Sequence, residues 1–181
     1  MTRVAPLDLA ALTAAQRAVV DQVRAGRRGT VPANVLAWLP SPELARRAAA
    51  LGEFVRYGTS LGTRRSELAI LVVARRWSCD YEWAVHAPEA ERAGVPAGVI
   101  AAVRTGGVPV LPDESDRAVH AFAQELVSTG RVSDAVHAQA VARMGAAGVA
   151  DLVGVVGYYT LVAFTLNAAQ VPAPDGAPTL G

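Results

Sequence analysis

Residues 78–94, "SCDYEWAVHAPEAERAG", bring a thiol, carboxylates and an imidazole together in one short stretch. Cys79, Glu82, Trp83 and His86 would share one face of an α-helix, because three, four and seven residues separate the last three from the first. Glu82 and His86 are then close enough for a hydrogen bond. A carboxylate beside an imidazole is suited to proton transfer, since imidazole titrates near neutral pH. The spacing allows a catalytic acid–base cluster, with an ordinary pair on a helix surface as the alternative.

Cys79 is the only cysteine of the chain and has two interpretations. Seven helical residues place it about 10 Å from His86 along the helix axis, so direct activation of the thiol by this imidazole is not expected. The residue is either a reactive thiol or a small buried hydrophobic side chain. It cannot form an intramolecular disulfide, because the chain has no second cysteine.

The other potential ligands lie far from this cluster in sequence. No second pair of histidines or cysteines follows at ligand spacing, and His120 and His137 stand well downstream, so no metal site is expected. Arg75 and Arg76 precede the cluster by about one turn. A guanidinium at that place can pair with an anionic substrate.

The composition excludes several classes of function. All 17 basic residues are arginine and face 16 acidic residues, which gives a net charge of +1 and no broad basic surface for nucleic acid. Without lysine, Schiff-base chemistry at a lysine is excluded. The first 16 residues show no signal-peptide pattern, so we expect a cytoplasmic protein. Residues 152–174 carry no charge, and we expect a buried core helix there and no membrane span.

Apolar residues recur at helical spacing along most of the chain, which predicts an all-α protein with one domain. Thr13 and Gln16 form a capping box, Asp80 is the expected N-cap of the cluster helix, and Ser133 and Gly148 mark two separate C-terminal helices. The predicted helices cover about residues 13–24, 34–38, 42–56, 63–76, 80–93, 96–104 and 113–129, followed by the helices that begin near 133 and 148.

Three segments carry a resemblance to a known family. "RRSELAILVVARRWSCDYEWAVHAPEAERAGV", "GRVSDA" and "LVGVVGYYTLVAFTLNAAQVPAP" resemble the carboxymuconolactone decarboxylase family, whose superfamily includes the alkylhydroperoxidase D-like proteins. The resemblance covers about residues 35–175 and implies an alkylhydroperoxidase D-like helical bundle. We expect an N-terminal helix and loop at 1–30, the family domain at 31–175 and a loose tail at 176–181.

The alkylhydroperoxidase D-like branch has a Glu, then Cys-x-x-Cys, then a His four residues after the second Cys. Glu67, Cys79 and His86 match this pattern, but Glu82 stands where the second cysteine belongs. Without a thiol three residues away, Cys79 cannot cycle through an intramolecular disulfide. Peroxide reduction at Cys79 would therefore need an external thiol.

The resemblance instead implies cofactor-free acid–base chemistry, a decarboxylation or an isomerisation, on a small carboxylated lactone or related acid. It makes His86 the principal proton carrier, Glu82 the group that orients and tunes it, and Glu67 a further member of the relay. The expected substrate contacts are Tyr81, Trp83, Arg75 and Arg76.

The resemblance also implies a homo-oligomer, commonly a trimer or a hexamer. The segment 152–169 is apolar around its whole circumference and gives an independent reason, because a small monomer covers such a helix poorly. Two other functions stay open at this point: a thiol-dependent peroxidase that uses Cys79 with an external reductant, and a non-catalytic protein that binds a small ligand.

Overall fold

The computed structural model describes residues 2–181, and over that range it is helical without strands, which confirms the predicted fold class. Within these residues it has eight helices, in chain order α1 (Ala14–Ala25), α2 (Ala33–Trp38), α3 (Pro42–Tyr57), α4 (Thr63–Arg76), α5 (Asp80–Arg92), α6 (Ala97–Thr105), α7 (Glu114–Thr129) and α8 (Asp134–Ala168).

Local sequence signals mark the starts of three helices. The predicted capping box of α1 is confirmed, because the Thr13 hydroxyl accepts from the Gln16 backbone N–H and the Gln16 side chain accepts from the Thr13 N–H. Pro42 occupies the first turn of α3, where its missing N–H removes no helical hydrogen bond. Asp113 caps α7 by accepting from the Asp116 N–H at 2.9 Å.

Two predicted boundaries differ from the structure. Cys79, and not Asp80, is the N-cap of α5, because a tight link joins α4 to α5: Ser78 has a φ of 47° and the Cys79 N–H donates to the Ala74 carbonyl at 2.9 Å. The two expected C-terminal helices form one run of 35 residues, α8. It is broken at Gly145, three residues before the predicted boundary at Gly148, where φ is 70° and ψ is 174°.

Helix α4 is the centre of the fold. Its residues 66–74 are all buried, and it packs against α3, α5, α6, α7 and α8. Such burial follows from sequence, because a helix that is apolar around its whole circumference must be covered on every side. Its first turn is fixed to α7, where Arg64 and Arg65 form ion pairs with the buried Asp116.

Helix α8 is long and apolar enough, by length and composition, to cross a membrane. In this structure 44% of its most apolar window is buried inside the protein, with Leu152, Val155 and Tyr159 among the buried residues. A core helix meets the same criteria, and one side of α8 is buried in this way. The sequence predicts burial on every side, but Val153, Leu161 and Phe164 are exposed.

The segments outside the helices also contact the core. The Arg3 N–H donates to the Ala169 carbonyl at 2.7 Å. Near the other end, the Leu180 N–H donates to Asp80 Oδ1 at 2.9 Å, and the Leu180 side chain packs on the core although no helix forms there. The division at residues 30 and 175 stays a prediction.

Gly145 provides a test of the break in α8. Its backbone lies in a region that only glycine adopts readily, so Gly145→Ala should lower the free energy of unfolding by about 1–3 kcal/mol. Gly98→Ala is the matched control, because Gly98 has a negative φ inside α6 and an added Cβ meets no atom within 4 Å. In urea unfolding, Gly98→Ala should be as stable as the wild type or more stable, because alanine favours a helix more than glycine does. Equal stability of Gly145→Ala and the wild type would contradict the break.

Candidate active site

Helices α4 and α5 bring Glu67, Glu82 and His86 together in the interior. Glu67 lies in the first half of α4, and Glu82 and His86 lie one turn apart on α5. All three residues are at least 95% buried. Cys79 and Trp83 are buried as well, so the stripe predicted from the spacing faces the core. The alternative of a solvent-exposed pair of Glu82 and His86 is therefore wrong.

His86 lies between the two carboxylates. Its Nδ1 is 2.6 Å from Glu67 Oε2, and its Nε2 is 3.4 Å from Glu82 Oε2. The first contact is a short, charge-assisted hydrogen bond, whereas the second is an ion pair without hydrogen-bond geometry. The family resemblance gives Glu82 the orienting role and Glu67 a place in the relay. In the structure, however, the closer contact of His86 is with Glu67. Glu67 thus fixes the ring, and Glu82 Oε2 keeps an unused hydrogen-bonding capacity beside it.

The two carboxylates keep His86 charged. Burial alone would lower the pKa of the imidazole, but the negative charge of Glu67, its hydrogen bond and the charge of Glu82 raise it to about 9. An imidazolium at neutral pH has a proton to give. In the charged ring both nitrogens donate, so Nδ1–H points at Glu67 and Nε2–H is available on the side of Glu82.

A pocket of about 430 Å³ opens beside this imidazole and is called here the His86 pocket. It lies between α5, α8, the end of α3 and the loop that joins α1 to α2. Its volume is within the range of small-molecule sites. The polar side chains that line it include Tyr81, Glu82 and His86 from α5 and, from other elements, Arg28, Arg56, Tyr158 and Tyr159.

Arg28 and Arg56 give the His86 pocket positive charge. The Arg56 guanidinium is 3.5 Å from the Glu89 carboxylate. Arg28, on the loop between α1 and α2, forms no salt bridge or side-chain hydrogen bond within residues 2–181 and is only partly exposed. An unpaired guanidinium at a pocket wall is suited to bind a carboxylate.

Tyr159 presents a polar group that the protein itself leaves unsatisfied. Its ring packs edge-on against His86 with 5.0 Å between centroids, and its buried hydroxyl has no hydrogen-bond partner among the described residues. Burial raises the pKa of Tyr159 well above 10, so the phenol stays protonated. A neutral O–H beside the imidazole can donate to a substrate oxygen.

Cys79 is poorly placed for redox chemistry. It is 1% exposed at the start of α5, and burial raises the pKa of its thiol to about 12. The helix N-terminus favours a thiolate, but here the loss of solvation is the larger effect. At neutral pH very little of this thiol is ionised.

The structure separates the remaining candidates. Tyr81 lines the His86 pocket, as a substrate contact would. Trp83 is 1% exposed and packs within the core, so its large ring fills space between helices. Arg75 and Arg76, near the C-terminus of α4, line a different pocket and do not reach the one beside His86. The structure therefore does not support Trp83, Arg75 or Arg76 as substrate contacts at this site.

Arg28, Arg56, Tyr158 and Tyr159 were not identified from the sequence. The only available signal was the pair of tyrosines inside the uncharged segment 152–174, where two hydroxyls require partners or a polar cavity. Within residues 2–181, no group of three or more His, Cys, Asp or Glu side chains has the arrangement of a metal site.

The titration of His86 tests this geometry. Its raised pKa stabilises the folded protein fully below about pH 6.5, and that contribution is lost as the pH rises through about 9. NMR of the imidazole nitrogens should show protonation up to about pH 9, and Glu67→Gln should lower the midpoint by at least about one unit. Glu91→Gln, an exposed change on the same helix, should leave it in place. A midpoint near 6.5 in the wild type would contradict the ion pairs.

Comparisons with known proteins agree with this description. Residues 42–125, which include α3 to α6 and most of α7, match the model of the carboxymuconolactone decarboxylase family. No curated protein matches the chain significantly. Among solved structures, the chain is similar to the apo form of the debrominase Bmp8, with 15% identity, a TM-score of 0.72, and coverage of 95% of this chain and 92% of that one. The part of the chain that carries Glu67, Cys79, Glu82 and His86 thus matches the carboxymuconolactone decarboxylase family.

Proposed function

We propose that this protein is an enzyme that performs acid–base chemistry without a cofactor on a small carboxylated lactone or a related acid. The observation that carries the proposal is the buried imidazole of His86 held between Glu67 and Glu82 at the wall of a pocket that also presents Arg28. Proton donor, carboxylate and anion contact are the parts that a decarboxylase or isomerase of such acids needs.

The charges favour His86 as the acid. Because its pKa is about 9, the imidazolium persists at neutral pH and can deliver a proton to carbon. Glu82 is the candidate base for an isomerisation, since its Oε2 has no hydrogen-bond partner within residues 2–181. Glu67, bonded to the opposite ring nitrogen, positions the imidazole and sustains its charge.

The rest of the pocket supplies binding and charge stabilisation. Arg28 is the candidate partner for a substrate carboxylate, with Arg56 as a second positive charge. Tyr159, kept protonated by burial, is the candidate donor to an oxygen that becomes negative during the reaction. Tyr81 adds a further wall contact.

In a decarboxylation the bond between carbon and a carboxylate breaks and CO₂ leaves. The electron pair of that bond moves into the conjugated carbonyl group, where the Tyr159 O–H stabilises the enolate oxygen. His86 then gives its proton to carbon, the enolate collapses to the carbonyl, and solvent reprotonates the imidazole. No oxidant or reductant is consumed.

The alternatives are less well supported. A thiol-dependent peroxidase requires a reactive Cys79, and the burial and raised pKa of this thiol argue against it. Bmp8 is called a debrominase, but at 15% identity its likeness supports the fold alone. A protein that binds a small acid without changing it would use the same pocket, and turnover separates the two.

Turnover of a panel of carboxylated lactones and β-keto acids, followed by proton NMR and CO₂ release, tests the proposal. His86→Ala should lower kcat by about 100-fold or more, because the proton donor is lost. Wild-type kcat/KM should fall as the pH rises above about 9, where His86 loses its proton. Arg28→Gln should raise KM by about tenfold with a smaller effect on kcat.

Two controls make this experiment decisive. Arg24→Gln removes an exposed arginine of α1 outside the pocket and should leave KM unchanged. Cys79→Ser should keep most of the activity, whereas loss of activity in Cys79→Ser with retention in His86→Ala would establish a thiol mechanism. Saturable binding of these acids to the wild type without turnover would contradict catalysis.

We also propose that the protein is a homo-oligomer, a trimer or a hexamer. Helices α3 and α8 pack against each other, and each exposes large apolar side chains that a second copy would cover. These side chains are Leu44, Leu51 and Phe54 on α3 and Val153, Leu161 and Phe164 on α8.

Sedimentation velocity tests this assembly. The wild type should sediment as a trimer or hexamer, and the double variant Leu51→Glu, Leu161→Glu should shift to the monomer, because two charges cannot be buried unpaired in an apolar interface. Leu9→Glu, at a similarly exposed leucine of the N-terminal segment, should leave the assembly intact. A monomeric wild type would contradict the proposal.

A further inference from the structure

A second pocket lies on another side of α4. It has a volume of about 370 Å³ and lies between the C-terminal half of α4, α6, α7 and the glycine turn after α6. It shares no lining residue with the His86 pocket. Arg75, Arg76, His120 and Gln124 supply its polar side chains, and we call it the Arg75 pocket.

Arg75 is an unusual arginine in this protein. Its Nε atom is buried without a hydrogen-bond partner, and its guanidinium enters no ion pair among the described residues. Arg64 and Arg65 also have a buried Nε without a hydrogen bond, but both guanidinium groups lie against the Asp116 carboxylate. The Nη groups of Arg75 also have no hydrogen-bond acceptor among the described residues, so a guanidinium without any partner in the protein is left for an acceptor from outside.

The Arg75 pocket has a net positive charge. Among the described residues none with a carboxylate lines it, whereas Arg76 adds a second guanidinium that stacks on the Trp77 ring at 4.5 Å. Burial lowers the pKa of His120, so this ring is a neutral donor or acceptor at physiological pH. Gln124 completes the polar side.

The glycine turn after α6 lies beside the Arg75 guanidinium. Gly106 ends α6 with a φ of 73°, and a Cβ added there would lie 3.7 Å from Arg75 Nη2. The turn therefore runs beside Arg75 and leaves space for about one methyl group between them. The apolar lining consists of Val72 and Val103, which are buried, and Val108, which is 93% exposed.

We propose that the Arg75 pocket binds a small organic monocarboxylate with an apolar body, separately from the substrate of the His86 pocket. The carboxylate pairs end-on with the two Nη groups of the Arg75 guanidinium, a bidentate geometry that arginine offers to this group. The apolar body lies on the three valines and covers Val108. This carboxylate belongs to a different molecule from the substrate that Arg28 is proposed to bind beside His86.

Benzoate is the probe for this site, with benzamide as its uncharged analogue and acetate as the carboxylate without an apolar body. In proton–nitrogen correlation spectra of the full protein, benzoate should shift the amide signals of Gly106, Gly107 and Val108 and the Arg75 Nε–H signal. Benzamide and acetate should each bind at least about tenfold more weakly, because each lacks one of the two contacts.

Variants assign the binding to Arg75. Arg75→Gln should weaken benzoate binding by about tenfold or more, and Arg75→Lys, which keeps the charge without the fork, should weaken it less. Arg104→Gln removes an exposed arginine of α6 that does not line the pocket and should leave binding unchanged, as should Arg28→Gln at the other pocket.

Three results would overturn the proposal. Absence of shifts at Gly106 to Val108 with benzoate in excess excludes the site. Equal binding to wild type, Arg75→Gln and Arg75→Lys excludes the guanidinium as the anchor. Equal affinity for acetate and benzoate excludes the apolar wall. These results do not depend on catalysis at His86, so they are separable from the turnover experiments.

Discussion

The ion pair of His86 with Glu67 is the interaction on which the site depends. Glu67 is a carboxylate on a helix that is otherwise buried and apolar from Leu68 to Ala74, and an unpaired charge there would destabilise the fold severely. The imidazolium satisfies it at 2.6 Å and joins α4 to α5. The same contact that permits α4 to be buried therefore holds a proton donor at the edge of a cavity.

Glu82 makes this site suited to proton transfer, whereas a second thiol at the same position would suit it to disulfide chemistry. It stands three residues after Cys79 on α5, and its negative charge helps to keep His86 protonated. It also adds to the unfavourable surroundings of a Cys79 thiolate, whose main cost is burial. One carboxylate thus favours proton transfer and disfavours thiol chemistry at the same place.

Local signals made much of the fold and part of the site predictable. Caps such as Thr13 and Asp113 act within a few residues, and the shared face of Cys79, Glu82 and His86 follows from helical periodicity. The short contact of His86 with Glu67 and the presence of Arg28 at the pocket could not be derived this way, because the first follows from the packing of α4 on α5 and the second from the path of the loop between α1 and α2. Arg75 and Arg76 were close in sequence, but the direction of α4 turns them to another cavity.

The His86 pocket has two ends of unequal rigidity. The proton-transfer groups sit on α4 and α5, whose packing tolerates little change in volume, whereas Arg28 sits on the irregular segment between α1 and α2. Loops accept substitutions, insertions and deletions that packed helices do not. On the proposed function, a few exchanges in this loop would change which acid is bound, whereas the groups around His86 would stay fixed by the core.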